Sequence, residues 1–423
     1  MRFLHFSDVH LGFQQYSLGE RFNDFFHAFE RAIQYGIDNK IDAILIAGDL
    51  FHKSAIEPMV YIQAADMLKL ARDAGIPVIA ISGNHDQASR RDVISWLDVL
   101  AHEGYLYFLE PVLQDEACQL PTWDQKENTG AFLDIANVRI IGLPYLGGTT
   151  ALWLPAVSDA IANLPKNKTN FTILLTHAGI EGELGKLDAA LSYAELEPLR
   201  KSVNYLGLGH LHKHFEQDNW LYNPGSLEVY DVGELKWSKG WYDVEVDSGG
   251  KKKVRYVPSN HRTFLVQNFQ VSAYDKPADL LRAYRNDVRQ WAAEWKKSPD
   301  KPVVVLYLEG ELAFDRHELD TQEIEKIARE SADLLHVVIN TSKLRSPGLE
   351  FAVDESIPLE ELEKTVLREI AQGDSRFAAH PDEWASVILN TKQMAIANRS
   401  VDEILSTLQM QIEKIEGMAQ DVD

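Results

Sequence analysis

Histidine, aspartate and asparagine side chains recur in short motifs along the first half of the sequence. The motifs are Ser7-Asp8-Val9-His10, Gly48-Asp49-Leu50-Phe51-His52, Gly83-Asn84-His85-Asp86, Thr176-His177-Ala178-Gly179 and Gly209-His210-Leu211-His212. Imidazole, carboxylate and amide-oxygen ligands without a thiol suit manganese, iron or zinc better than a soft metal or a calcium cage. The candidate ligands are Asp8, His10, Asp49, Asn84, His177, His210 and His212. They are too many for one ion and enough for two divalent ions that share a carboxylate.

A pair of divalent ions suits phosphoester hydrolysis. Two ions about 3.5 to 4 Å apart polarise phosphoryl oxygens, generate a hydroxide nucleophile near neutral pH and clamp an in-line displacement. A lone Asp-x-His or a lone buried histidine more often has a structural role, so no single motif carries the prediction. The ordered set of motifs, each at the end of a predicted strand, carries it.

Buried strands are predicted at 2–6, 43–47, 78–81, 171–176 and 205–209, and amphipathic helices at 20–39, 59–74 and 91–101. Each motif closes one of these strands. Ligands of open α/β sheets gather at the carboxyl ends of strands, so the motifs are expected to share one site. In extended backbone, residues i and i+2 point the same way, which would aim Asp8 with His10, and His210 with His212, at one point.

The glycines Gly48, Gly83 and Gly209 are expected to allow tight turns where the backbone approaches a bound ligand.

The alternation of strands and helices predicts an α/β layered domain over residues 1–262. Hairpins predicted at 131–143 and 241–257 favour a mixed sheet, or two packed sheets, over a purely parallel one. Strand, helix, strand, helix and strand follow, which predicts a small α/β unit over 263–345. Residues 346–423 are expected to be mainly helical, ending in an amphipathic helix that begins at Ser400 with a capping box completed by Glu403.

The composition is typical of a globular protein in a reducing compartment. Hydrophobic residues make up 45% and charged residues 25% of the 423 residues, and the single cysteine, Cys118, cannot form an internal disulfide. No uninterrupted apolar stretch approaches the length of a membrane span, so no membrane association and a cytoplasmic location are expected. The net charge of −22 argues against a surface that coats polyanions in general. Nucleic acid would have to be held through bound cations and a local basic strip.

In this order the motifs resemble those of the calcineurin-like metallophosphoesterase superfamily. The resemblance implies a four-layer β-sandwich flanked by helices, with a small α/β capping domain and a helical C-terminal tail. It implies that one ion is held by Asp8, His10, Asp49 and His212, and the other by Asp49, Asn84, His177 and His210. His85 would approach the substrate as an acid or transition-state stabiliser, oriented by Asp86. His52 would position the scissile phosphate or cap the turn at Leu50.

Further details are similar to the SbcD exonucleases, bacterial counterparts of the nuclease subunit in the double-strand-break repair complex. They are His10-Leu11-Gly12, Arg21-Phe22 with Asp24, Asp49-Leu50-Phe51-His52, the run from Tyr205 to Lys213, and Asn223-Pro224-Gly225-Ser226-Leu227-Glu228. This resemblance implies a DNA exonuclease or endonuclease of repair and recombination, with manganese as its metal and iron or zinc as alternatives. It also implies an SbcC-like coiled-coil ATPase as a partner, and it leaves a homodimer open.

Two other functions remain as alternatives. The acidic net charge suits a phosphodiesterase or phosphatase that acts on a small nucleotide or another compact substrate. A non-catalytic scaffold is disfavoured by the complete set of metal ligands. The second domain and the helical tail favour a nuclease in a larger machine, since an enzyme for small molecules needs neither.

Two basic groups are candidates for binding DNA. Lys251, Lys252, Lys253 and Arg255 lie in one hairpin strand, where they would either follow a phosphate backbone or form a rim that prevents edge aggregation. Arg90 and Arg91 follow the Asn84 motif and would either neutralise DNA phosphates or face solvent.

The last helix carries an apolar stripe formed by Val401, Ile404, Leu405, Leu408, Ile412 and Ile415. The stripe would either pack against a helix near 359–370 in the same chain or dock the ATPase.

Overall fold

A computed structural model describes residues 1–88, 93–165, 168–183, 190–345, 359–374, 376–397 and 399–420. The chain divides into two compact units, Met1–Arg262 and Thr263–Asp423. Among the described residues, no helix combines the length and the apolar character needed to cross a membrane.

The first unit alternates strands and helices along the chain. Its strands are β1 (Arg2–Phe6), β2 (Ala43–Ala47), β3 (Val78–Ile81), β4 (Tyr107–Phe108), β5 (Val112–Gln114), β6 (Ala117–Gln119), β7 (Phe132–Ile135), β8 (Val138–Leu143), β9 (Phe171–His177), β10 (Tyr205–Gly209), β11 (Phe215–Gln217), β12 (Leu221–Asn223), β13 (Gly240–Val246) and β14 (Lys252–Pro258). Its helices are α1 (Gly19–Asp38), α2 (Pro58–Asp73), α3 (Trp96–His102), α4 (Thr150–Ala162) and α5 (Tyr193–Leu196). The strands predicted to precede the motifs are confirmed.

Two six-stranded sheets form the centre of this unit. One has the strand order β14-β13-β1-β2-β3-β4 and the other has the order β11-β12-β10-β9-β8-β7. Both are mixed: β1 runs parallel to β2 and antiparallel to β13, and β8 runs parallel to β9 and antiparallel to β7. The hairpins β7–β8 and β13–β14 are those predicted from sequence. The expectation of mixed, packed sheets is confirmed.

Buried apolar side chains fill three layers of the first unit. Phe3, Leu45 and Ile173 belong to the layer between the two sheets. Their neighbours along the strands, such as Leu4 and Leu174, face the opposite way, toward α1 to α3 on one side and α4 and α5 on the other. Because both faces of each central strand are buried, these strands read as continuous apolar runs. The result is the four-layer sandwich flanked by helices.

A histidine lies in this apolar interface. His5 Nδ1 is 2.8 Å from the Tyr205 hydroxyl, and its Nε2 is 3.0 Å from the carbonyl oxygen of Leu208. Burial lowers the pKa of His5 to about 3, so the ring is neutral, donating from Nε2 and accepting at Nδ1. These bonds join β1 to β10 just before Asp8 and His210.

Helix α3 begins later than predicted. A helix was expected over 91–101, of which residues 91 and 92 lie outside the described residues, but α3 begins at Trp96. Ser95 has extended backbone, and its hydroxyl accepts from the Asp98 amide while the Asp98 carboxylate accepts from the Ser95 amide. This capping box fixes the helix start, because its first residue must be non-helical.

The second unit begins with a parallel three-stranded sheet in the order β15-β16-β17. Its strands are β15 (Phe264–Gln270), β16 (Val303–Glu311) and β17 (His336–Arg345), and its helices are α6 (Pro277–Trp295), α7 (Thr321–Ser331), α8 (Leu359–Gln372), α9 (Pro381–Ile396) and α10 (Val401–Gln420). Helices α6 and α7 connect the strands, and their apolar faces share one core with the sheet. The predicted order of strands and helices is confirmed here, while the boundary expected at 345–346 adjoins residues 346–358, which lie outside the described ones.

Helix α10 packs against α9, which in turn packs against α8. One alternative had the last helix packing directly on a helix near 359–370. In the structure α10 instead packs on α9, which contacts α8. The apolar stripe of α10 is covered unevenly: Ile415 is buried, whereas Val401 and Leu405 are 70% and 57% exposed.

Candidate metal centre

The motifs meet at the carboxyl ends of five strands. Strands β1, β2 and β3 are parallel neighbours in one sheet, and β9 and β10 are parallel neighbours in the other. The two sets come together because the His210 amide donates to Asp8 Oδ2 at 3.1 Å across the sheets. All seven predicted ligands therefore lie at one edge of the sandwich.

One group of ligand atoms surrounds His10. Its Nε2 lies 3.0 Å from His212 Nε2 and 3.9 Å from Asp49 Oδ2. His212 Nε2 is in turn 3.8 Å from Asp8 Oδ1. Two imidazole nitrogens that face each other beside two carboxylates suit a shared cation.

A second group surrounds Asn84. Its Oδ1 lies 3.2 Å from His177 Nε2 and 3.0 Å from His210 Nδ1. His177 Nε2 is also 3.4 Å from Asp49 Oδ2. Asp49 Oδ2 thus faces one histidine from each group, which is the position that a shared carboxylate must take.

The charges of the centre attract cations. Burial alone would raise the pKa of Asp49, but His177 and His10 hold it below its usual range, so Asp49 is ionised. Burial would lower the pKa of His177, yet Asp49 and Asp8 raise it to about 9. The Asp49 and Asp8 carboxylates thus concentrate negative charge around His177. A divalent cation satisfies the same negative charge, so the donor set fits the ions that the motifs imply.

The backbone at the ligands differs from the extended form expected. Strand β1 ends at Phe6, and Asp8 and His10 have φ values of 53° and 52°. Asp49 and His210 have φ values of 54° and 93°. The expectation that i and i+2 alternation aims these side chains is wrong, because left-handed turns aim them. Such conformations cost about 1–3 kcal/mol each and persist where the surroundings enforce them, commonly at functional sites.

Two of the glycines make room for ligand side chains. A Cβ at Gly83 would lie 2.1 Å from Asp49 Oδ1, and a Cβ at Gly48, whose φ is +89°, would lie 2.3 Å from His177 Nδ1. These glycines were expected to let the backbone approach a bound ligand. In the structure they let it approach the side chains of Asp49 and His177.

His85 and His52 lie beside His10. The ring of His85 is 4.9 Å from that of His10 and stacks on the ring of His52 at 5.6 Å. His85 Nδ1 is 2.7 Å from the His52 carbonyl oxygen, which makes Nδ1 the donor and fixes the ring. Burial lowers the pKa of His52 to about 4, so His52 is neutral at pH 7.

Asp86 has a different role from the one expected. Its carboxylate accepts from the backbone amides of Phe51 at 2.9 Å, Gly83 at 3.0 Å and Leu50 at 3.2 Å. These bonds join the loops after β2 and β3. The expectation that Asp86 orients the His85 ring is corrected, since the His52 carbonyl oxygen does so.

Aromatic side chains that the motifs did not indicate flank the centre. Tyr230 stacks on Phe13 at 4.3 Å and lies 4.9 Å from the rings of His10 and His212. Tyr145 lies 5.6 Å from the ring of His210. Single aromatics in loops have no spacing signal, so the sequence gives no means of finding them.

A cleft of about 560 Å³ adjoins the centre at His52. Its lining includes Phe13, Phe22, Met59 and the exposed Lys53. Lys53 was not singled out from sequence, because a lone lysine after a motif has no distinguishing pattern.

The basic residues of β14 lie away from the centre. Lys253 pairs across the strands with Glu245, which pairs with Arg2 at the start of β1. That position is at the opposite end of the five-residue β1 from Asp8, roughly 16 Å along the strand.

The same residues also fail to form one strip. Arg255 is bound to Asp243 at 2.6 Å, and Lys252 turns to the other face of the strand, where it donates to the Asn204 carbonyl oxygen at 3.2 Å. Lys251 and Lys253 are exposed. Of the two alternatives for these residues, this arrangement favours the hairpin rim over a strip that follows a phosphate backbone. Arg90 and Arg91 lie outside the described residues.

Known proteins share the motif-bearing part of the chain. A family model described as calcineurin-like phosphoesterase matches residues 1–214. The DNA double-strand break repair protein Mre11 of Aeropyrum pernix is 31% identical over 71% of this chain and 74% of that protein. The Mre11 protein of Archaeoglobus fulgidus is 29% identical over 65% of this chain and 61% of its own length, and that of Sulfolobus acidocaldarius is 26% identical over 76% and 78%.

Proposed function

Because the chain belongs to the calcineurin-like phosphoesterase family, and within it to the Mre11 proteins, we propose that it is a two-metal nuclease of DNA double-strand-break repair. One observation carries the two-metal proposal: Asp49 Oδ2 faces His10 and His177, which belong to different ligand groups. A single carboxylate between two such groups is what a two-ion centre requires.

The seven ligands divide into two sets. Asp8, His10, Asp49 and His212 would hold one ion, and Asp49, Asn84, His177 and His210 would hold the other. Nitrogen and oxygen donors without sulfur favour manganese, with iron and zinc as alternatives. When bound, the ions supply electrophilic stabilisation of the phosphoryl oxygens and a nucleophile at neutral pH.

The side chains around the ligands supply the remaining steps. His85, whose Nδ1–H donates to the His52 carbonyl oxygen, would in its imidazolium form also carry a proton on Nε2 and give that proton to the departing oxygen. His52, whose pKa is lowered by burial, would hydrogen-bond the phosphate through its ring. Asp86 holds the loops that carry Asp49 and His85 at a fixed separation.

DNA is the proposed substrate on the strength of the Mre11 relatives, since the net charge of −22 gives no general attraction to it. Lys53 in the cleft beside His52 would supply local attraction to a phosphate. The manganese-loaded protein should hydrolyse both end-labelled DNA and bis-p-nitrophenyl phosphate. Hydrolysis of the small diester alone would favour the alternative, an enzyme for compact phosphoesters.

The proposed partner is an SbcC-like coiled-coil ATPase that docks on the C-terminal helices. The exposed part of the α10 stripe, at Val401 and Leu405, would receive it in the manner of a helix in an apolar groove.

A further inference from the structure

His212 is held at both ends by one buried ion pair. Its Nδ1 donates to Glu234 Oε1 at 2.7 Å, and its carbonyl oxygen accepts from Lys239 Nζ at 3.1 Å. Glu234 and Lys239 are themselves paired at 2.6 Å. Ring and backbone of this one predicted ligand are therefore fixed by the same two side chains.

The hydrogen bonds around Glu234 and Lys239 allow this ion pair to be buried. Lys239 is 1% exposed and also donates to Ser226 Oγ at 2.8 Å, so its ammonium has three acceptors for three protons. Glu234 Oε2 accepts in addition from the Tyr230 amide at 3.2 Å. A buried ion pair is tolerated when its remaining hydrogen bonds are satisfied in this way. The Glu234 carboxylate therefore accepts from His212 Nδ1 at one oxygen and from Lys239 Nζ at the other.

Two other histidines of the centre, His177 and His10, have weaker support. His177 Nδ1 is bonded to a neutral carbonyl, that of Ala47, at 2.8 Å. His10 Nδ1 is buried without a hydrogen-bond partner among the described residues. A carboxylate behind an imidazole fixes its tautomer and raises its basicity as a ligand more than a carbonyl does.

We propose that Glu234, with Lys239 as its counter-ion, is a positioning residue that selectively strengthens the ion held by Asp8, His10 and His212. The bond from Nδ1 leaves the Nε2 lone pair of His212 directed at His10 and Asp8, where that ion would lie. Among the described residues, no carboxylate is hydrogen-bonded to Nδ1 of His177, which faces the Ala47 carbonyl oxygen, so the two halves of the centre differ in affinity. This inference rests on the proposed two-metal centre.

Stepwise Mn²⁺ binding to the metal-free chain of 423 residues, measured by calorimetry, tests the inference. Glu234→Gln keeps the shape and an acceptor for His212 but removes the charge. Affinity for one ion should fall by about 10- to 100-fold while that for the other is unchanged. The matched control is Glu183→Gln, since Glu183 pairs with Lys213, next to His212 in sequence, at 2.8 Å. The control should bind both ions normally.

Two further variants, each lacking a ligand of one of the two ions, identify the ion that Glu234 affects. In an Asn84→Ala protein, Glu234→Gln should weaken the remaining ion, whereas in a His10→Ala protein it should not. Equal weakening in both backgrounds, or in neither, would overturn the positioning role. Failure of the unsubstituted protein to bind two ions would instead reject the two-metal centre.

A charge-neutral variant guards against misfolding, because Glu234→Gln leaves Lys239 buried without its counter-ion. Glu234→Gln combined with Lys239→Met removes both charges and should weaken the same ion. Thermal unfolding of the metal-free double variant should resemble that of the unsubstituted protein. A folded double variant that binds both ions with full affinity would refute the proposal.

Discussion

The His85 amide donates to Asp49 Oδ1 at 2.9 Å, which joins the proposed acid to the carboxylate shared between the two ligand groups. The bond occupies one oxygen of Asp49 and leaves Oδ2 facing His10 and His177. It is made by the His85 backbone, so the ring of His85 remains available for the substrate. Backbone and side chain of this residue therefore have separable roles.

His85→Gln should retain two Mn²⁺ ions while hydrolysis of bis-p-nitrophenyl phosphate falls by about 100-fold or more, the usual range for a positioned acid. The backbone bond to Asp49 survives the substitution, so the ligands stay in place. Metal content by atomic absorption and steady-state rates check the two halves of the prediction. Loss of an ion would assign His85 to the ligands.

Lys53→Ser should weaken DNA binding and reduce the slope of log affinity against log salt by about 1, because it removes one contact to phosphate. Lys53 is exposed in the cleft beside His52. The matched control is Lys253→Ser, since Lys253 is also exposed but lies at the opposite end of β1 from Asp8. Fluorescence anisotropy with a labelled duplex at several salt concentrations measures both. A larger effect from Lys253 would restore the basic strip of β14 as the DNA contact.

His5 should make stability dependent on pH. Its pKa is lowered from 6.5 to about 3 by burial, so the folded chain resists a proton that the unfolded chain accepts. Its contribution is therefore complete above pH 6.5 and is lost progressively as the pH falls toward 3. Calorimetric melting of the metal-free protein and of His5→Gln checks this. The stability advantage of histidine should shrink below pH 6.5, and a constant difference would contradict the neutral inter-sheet role.

The C-terminal helices should be dispensable for hydrolysis. Deleting all residues after Glu355 should leave metal binding and hydrolysis of the small diester near those of the full chain but abolish co-purification with the SbcC-like ATPase. Val401→Glu combined with Leu405→Glu should have the same effect within the full chain, because both side chains are exposed on the α10 stripe. Asp402→Lys is the control on a polar position of the same helix. Normal ATPase binding by the truncated chain would refute the docking role.

The strands could be predicted because strands buried on both faces form continuous apolar runs in the sequence. The shared site could be predicted because each motif directly follows such a strand. Strands β1, β2, β3 and β10 have the predicted bounds. The left-handed backbone turns that aim the ligand side chains at one point could not be predicted. Nothing in the residue types of Asp8 and His10 distinguishes such a turn from a continued strand.

Contacts between residues that are far apart in the sequence could not be predicted either. Glu234 follows no motif, yet it touches His212 because β12 and the loop after it return beside β10. Asp86 lies next to His85 in sequence, but its carboxylate is drawn to backbone amides of a neighbouring loop. Lys251 and the three basic residues of β14 read as one strip, but strand alternation places Lys252 on the opposite face from Lys253.

Metal stoichiometry of Asp49→Asn tests the central claim most directly. The neutral amide keeps the shape of the side chain but cannot bridge two cations, so the variant should bind at most one Mn²⁺ tightly, where the unsubstituted protein binds two, and should lose hydrolysis of both DNA and the small diester. Equilibrium dialysis with inductively coupled plasma detection counts the ions. Two tightly bound ions in Asp49→Asn would contradict the shared carboxylate, and with it the two-metal account of this site.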